Sequence, residues 1–186
     1  MGWIIFGVVV VALVLWFVGV YNKFISLHQR VKNAWAQIDT QLVRRFDLIP
    51  NLVETVKGYA KHESDTLEKV IAARTQYMSA NGDVEKMAQA ENMLSGTLKS
   101  IFALSEAYPE LKANVNFQQM QTELTGTEDK IAYARQFYND TVQMFNTEIA
   151  KFPNSIVAKT TGGGKFVDQP FFEAAAEEKK TVRVQF

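Results

Sequence analysis

The first 22 residues carry no charged side chain. From Trp3 to Val20 the run "WIIFGVVVVALVLWFVGV" is apolar apart from the small residues Gly7, Ala12 and Gly19. A helix rises ~1.5 Å per residue, so about 20 such residues match the ~30 Å hydrocarbon core of a bilayer. A signal peptide would open on basic residues and end at a small-x-small cleavage site. Nothing basic precedes this run, and "WFVGVYNKF" offers no such site. The expectation is therefore an uncleaved transmembrane anchor over residues 1–22. Phe6 and Leu13 belong to its apolar length, and Trp3, Trp16, Phe17 and Tyr21 lie near its two ends, where aromatic rings favour the membrane interface. Lys23 is the first charge after it, followed by Arg30 and Lys32 before the first acid, Asp39. Basic flanks stay inside, which predicts an outward N-terminus and a cytoplasmic body.

Beyond the anchor, Gly and Pro are absent from Val20 to Ile49. Leu27, Val31, Ala34, Ile38 and Leu42 recur at three- and four-residue steps, one face of an α-helix. The membrane helix is expected to run on as a stalk into the body. A second apolar series (Ile49, Val53, Val56, Ala60, Leu67, Val70, Tyr77) predicts one helix over 48–79. Asn81-Gly82 then signals a turn, and Asp83 an N-cap. A third helix runs from Val84 through Met87, Met93, Leu94, Leu98, Ile101 and Leu104 to Tyr108-Pro109. A fourth, over 116–152, runs from Phe117 through Met120, Leu124, Ile131, Ala134, Phe137, Phe145 and Ile149 to Phe152, stopped by Pro153. The class is all-α: an N-terminal transmembrane helix (1–22) continuing into an antiparallel four-helix bundle (23–153). A flexible tail (154–186) follows, in which "TVRVQF" alternates as a strand does.

The stretch "RRFDLIPN" (44–51) reads as the corner between the first two bundle helices. Arg44 and Arg45 would close one helix, where cations favour the negative end of its dipole. Asp47 would cap the next, with Pro50 in its first turn. The connection "YPELKANVNF" (108–117) would lie at the same end, with Glu110 facing an arginine. Tyr108, Pro109 and Glu110 thus join Arg44, Arg45, Asp47 and Pro50 in a structural cap, or alternatively a docking surface. Tyr138-Asn139 and Asn146 are expected to hydrogen-bond between helices. Phe171, Phe172 and Phe186 either fold back on the bundle or meet a neighbouring copy or the membrane.

Several chemistries find no support. With no cysteine, disulfides and thiolate chemistry are excluded. The formal net charge is zero, which leaves no strong footprint for nucleic acid. His62-Glu63 opens like a zinc-protease helix, but Thr66 stands where the second His belongs. Glycines 162–164 before Lys165 suggest a phosphate loop, but Lys159 replaces its first Gly and Phe166 its Ser/Thr. No catalytic, cofactor-binding or metal residues are assigned.

Taken in order, "VKNAWAQIDTQLVRRFDLIPNLVETVKGYAKHE", "AAR", "YPELKANVNFQQMQTEL", "YARQFYNDTVQMFNTEIAKFP" and "FFE" resemble the LemA family along the whole body. The resemblance implies a bacterial membrane protein with one N-terminal span and a helical-bundle body, placed in the inner membrane. Related proteins are linked to magnetosome membrane formation, and some lie beside membrane metalloprotease genes. No catalytic residues are established for the family, so none carry over. The expected function is a non-enzymatic scaffold that needs no cofactor, self-assembles into homo-oligomers and organises or shapes the lipid bilayer. The alternative is an adaptor or regulator of a membrane protein partner such as a metalloprotease.

Overall fold

A computed structural model describes residues 1–60, 64–161 and 164–172. Among them every regular element is helical: α1 (Gly2–Asp47), α2 (Ile49–Tyr59), α3 (Ser64–Ser79), α4 (Val84–Ser105), α5 (Pro109–Lys112), α6 (Val115–Ala150) and α7 (Asn154–Thr161). The chain divides into two compact units. One holds residues 1–36 and 136–170, the other residues 37–135 with Phe171 and Phe172.

The first unit begins with the apolar run, which is helical throughout and has none of its most apolar stretch covered by protein. It is the only helix among the described residues long and apolar enough to cross a membrane. From Val20 the same helix acquires a buried face of Val20, Phe24, Leu27, Val31 and Ala34. That face packs against the end of α6. His28 lies on Phe145, with ring centres 5.6 Å apart, and Trp35 meets Tyr138 edge-on at 5.6 Å. Lys23 Nζ reaches Glu148 Oε2 at 2.6 Å. Burial, with the charges of Lys32 and Lys165, lowers the pKa of His28 and favours the neutral ring.

The tail expected to start at 154 does not start there. Residues 154–161 form α7, which buries Val157 and Ala158. The chain beyond it returns along α6 through paired amide bonds. Asn146 Nδ2 donates to the Gln169 carbonyl at 3.0 Å, and the Gln169 N–H donates to Asn146 Oδ1 at 2.9 Å. The Tyr138 hydroxyl donates to the Pro170 carbonyl at 2.9 Å. Tyr138 and Asn146 thus bond this returning segment instead of another helix. Burial pushes the Tyr138 hydroxyl up to about 12, so it remains a donor across the physiological range. "TVRVQF" and Phe186 lie outside the described residues.

The second unit is a four-helix bundle. Its legs are the end of α1 with α2, then α3, α4 and the first part of α6. The apolar stripes bury as their spacing predicts: Ile38 and Leu42 in α1, Val56 in α2, Val70 in α3, Leu94 and Ile101 in α4, and Phe117 and Leu124 in α6. Phe46 stacks on Tyr77 with centres 4.2 Å apart, and Phe102 meets Phe117 edge-on at 6.4 Å. The α3–α4 turn follows its sequence signals. Asn81 and Gly82 take φ of 48° and 82°, a region easy for Gly and tolerated by Asn. Asp83 Oδ1 then accepts the N–H groups of Glu85 and Lys86, capping α4.

The corner at 44–51 lies where expected, with Arg44 and Arg45 in the last turn of α1 and Pro50 in the first turn of α2, but its cap is different. α1 runs to Asp47, and Leu48 is a single-residue interruption bridged by hydrogen bonds from its own N–H to Arg45 O and from Leu52 N–H to its carbonyl. The interruption has a local cause. Pro50 has no N–H to give to Phe46 O, and its ring crowds that carbonyl. Asp47 is therefore the last residue of α1 and not a cap; Leu48 holds the N-cap position of α2 without a side-chain bond. The predicted single helix over 48–79 is two helices, with α2 closed by Ala60 and α3 opening at Ser64. Gly58, Gly96 and Gly126 serve no close contact, since a Cβ added at any of them would meet nothing within 4 Å.

Candidate functional site: a buried arginine and its carboxylates

Arg45 lies three residues after Leu42 and four before Ile49, on the stripe that α1 and α2 turn to the core. Its side chain is 0% exposed. One guanidinium nitrogen, Nη1, pairs with Glu91 Oε1 of α4 and also donates to Ser95 Oγ at 3.1 Å. The other, Nη2, reaches Glu128 Oε2 of α6 at 3.3 Å. Ser95 Oγ in turn donates to Glu91 Oε1 at 3.1 Å. One arginine thus ties three legs of the bundle together.

The cluster is electrically tense. Burial pushes the Glu91 carboxyl up to about 7, and the nearby Glu128 adds to the rise. The Arg45 charge, the Ser95 hydroxyl and Arg135 pull the other way without cancelling it. Arg45 Nε and Glu91 Oε2 are buried and find no partner among the described residues. A carboxyl poised near neutrality is a feature of acid–base catalysts. Here it is buried, and none of the surface hollows described is lined by Arg45 or Glu91. A helix shift that broke this set would strand a charge in the core. There is a second polar tie: Tyr77 OH of α3 donates to Asp39 Oδ1 of α1 at 3.0 Å.

The other residues singled out from the sequence are scattered. Arg44 points outward to an exposed pair with Glu123 of α6. Pro50 stands in the first turn of α2. Tyr108 is the N-cap of the short α5 without a side-chain bond, and Pro109 opens that helix. Glu110 is exposed, and the carboxylates at Arg44 and Arg45 are Glu123, Glu91 and Glu128 instead. The 108–114 connection sits against α2, where Asn114 Nδ2 donates to the Tyr59 hydroxyl at 3.0 Å. It does not meet the arginines, because the bundle leg continues past them to Tyr59. In the anchor, Trp3, Phe6, Leu13 and Trp16 are exposed, while Phe17 and Tyr21 are partly covered. Phe172 is fully buried within the chain, which removes it as a free oligomer contact; Phe171 is 43% exposed. His62 lies outside the described residues. Among those described, no three His, Asp or Glu side chains gather closely enough to hold a metal ion.

Residues 34–186 match the profile of the LemA family. The chain belongs to the LemA family. Protein LemA of Metamycoplasma hominis is 31% identical over 150 residues, covering 77% of this chain and 65% of that protein. Magnetosome protein MamQ 2 of Paramagnetospirillum magneticum is 24% identical over 167 residues, covering 76% of this chain and 61% of that one. Magnetosome protein MamQ of Magnetospirillum gryphiswaldense is 23% identical over the same shares. The chain therefore spans just under two thirds of the length of these relatives.

Proposed function

We propose that this LemA-family chain is a non-enzymatic membrane scaffold that self-assembles and organises or shapes the membrane holding it. The observation that carries this reading is α1: one helix of 46 residues includes both the apolar span and the packed stalk, with no break between them. Such a helix fixes the folded part to the bilayer, as a scaffold requires and a soluble catalyst does not. Similarity to relatives named as magnetosome proteins supports the membrane role, given the link of such proteins to magnetosome membrane formation that the family resemblance implies. The polar cluster supports it differently, since its central pair, Arg45 and Glu91, is buried and joins legs of the bundle. Soluble homo-oligomers usually close by symmetry, and a ring or lattice of such bundles is the expected form. In a bacterial inner membrane, Lys23, Arg30 and Lys32 would hold the body in the cytoplasm and leave the N-terminus outside.

The test is electron microscopy with mass analysis of the full-length chain, expressed alone and extracted gently with lipid. Regular assemblies or curved membrane are the expected result. A monomer in several mild detergents would refute self-assembly and leave the adaptor role, to be pursued by crosslinking in cells.

A further inference from the structure

The end of α6 and the chain after it lie level with the end of the span. Glu148 Oε2 holds Lys23 Nζ at 2.6 Å, one helical turn past Val20. Thr161, the last residue of α7, shares a hollow of about 430 Å³ with Phe17, Val18 and Tyr21. The ring of Phe166 packs on Tyr21 and Phe24, with centres 5.7 and 5.3 Å apart. Phe17 and Val18 belong to the apolar run, so residues 151–161 and 164–167 are placed where that run would leave the hydrocarbon.

What this segment shows to its surroundings is of two kinds. Phe152 is 82% exposed, Ile156 50% and Val167 51%. Lys151, Lys159 and Lys165 are also exposed. Val157 and Ala158 turn inward and hold α7 on the unit, so the outward face is presented by folded structure. Lys151 shares Glu148 with Lys23, and the two ammonium groups hold that carboxyl below the usual carboxylate range. Lys159 has no ion pair among the described residues, and Lys165 lies over its neighbour's ring. Asp168 is the acid at the far end of the segment. Apolar side chains mixed with lysines on a short, outward-facing surface are the composition that interfacial elements use against anionic lipid.

We propose that residues 151–161 and 164–167 form a lipid-facing collar at the base of the span. Phe152 and Ile156 enter the interfacial layer of the leaflet, and Lys159 and Lys165 meet the phosphates of anionic phospholipid headgroups. The partner is a lipid surface because the collar is continuous with the element that crosses it. This rests on α1 crossing the bilayer and not on self-assembly.

The absence of native cysteine allows clean labelling of the full chain. Phe152→Cys, Leu13→Cys and Glu106→Cys would each carry a nitroxide, in discs of phosphatidylcholine alone or mixed with phosphatidylglycerol. Accessibility to a water-soluble and to a lipid-soluble relaxant is then read at each site. The expected result is a label at 152 several-fold less accessible to the aqueous relaxant than the label at 106. Lys159→Glu with Lys165→Glu should reverse much of this in the anionic discs and little of it in the others. A label at 152 as wet as that at 106, with 13 deep in lipid, overturns the collar and spares the span. A wet label at 13 overturns both. Broadening between labels at 152 that vanishes on dilution with unlabelled chain would assign the face to a second copy, against the proposal.

Discussion

At the scale of single residues, Arg45 decides most. An arginine removed from water is tolerable only while its carboxylates hold it, so breaking the set should cost more than replacing it. Arg45→Met alone is expected to destabilise the chain by about 3–5 kcal/mol, because Glu91 is left buried without its partner. Arg45→Met combined with Glu91→Leu should recover most of that loss, as read by thermal or urea unfolding in mild detergent. A double variant no better than the single one would mean that the charges themselves stabilise. Protonation gives a second test. The folded carboxyl of Glu91 is raised to about 7, above its unfolded value of 4.5, so the folded state keeps a proton that the unfolded state has lost. Its contribution to stability is therefore greatest at and below the unfolded value and declines as pH rises towards 7. Glu91→Gln should flatten the dependence of the melting temperature on pH across that window. Arg45 does lie in the last turn of α1, as expected, but its burial was not read from the sequence, for a physical reason. Its spacing from Leu42 and Ile49 puts it on the buried stripe, but its charge and the nearby proline argue for a helix end. Glu91 carries the same hidden signal, four residues after Met87 and three before Leu94. At both positions the pattern foretold burial, since a charge can be buried when its partner lies on the facing stripe.

At the scale of elements, the reliable marks were those with a backbone mechanism. Asn81-Gly82-Asp83 announced its turn because a left-handed pair and a side-chain cap leave few alternatives. Gly82→Val should destabilise the chain by about 1–2 kcal/mol, because φ of 82° forces a β-branched side chain against its own backbone. Asn81→Gly should be tolerated in the same unfolding assay. The end of α2 was harder to see, for no proline lies between Tyr59 and Ser64 and the nearest glycine, Gly58, lies inside α2. Ser64 and Asp65 at the start of α3 were the available sign, and an unbroken apolar series masked it. α6 shows how finely a stripe must be read. Phe137 and Phe152 are exposed, while Tyr138 and Val142 hold the buried positions. The hydroxyl that made Tyr138 look polar is satisfied by the Pro170 carbonyl, and its ring is free to serve as core. That partner was invisible in a tail whose glycines suggested a linker.

At the scale of the whole molecule, the class, the anchor and the family were all legible, because each rests on long runs and not on single residues. Self-assembly was not, since an exposed face looks the same whether water, lipid or another copy covers it. What α1 adds is a relation of angle. A helix without a break transmits rotation as faithfully as it transmits height. Each side of the span keeps a fixed bearing relative to the structure packed on residues 20–36. Inserting one alanine between Leu13 and Val14 would turn everything before it by about 100° while leaving the packed stalk untouched. Four alanines would bring it back to within roughly 40° of its starting bearing. If neighbouring copies meet inside the bilayer as well as outside it, assembly seen by electron microscopy should fail with one insertion and return with four. An equal response to both would confine the contacts to the folded part. The membrane helix would then be a tether with a length but no heading, and the bilayer would be indifferent to which way each copy faces.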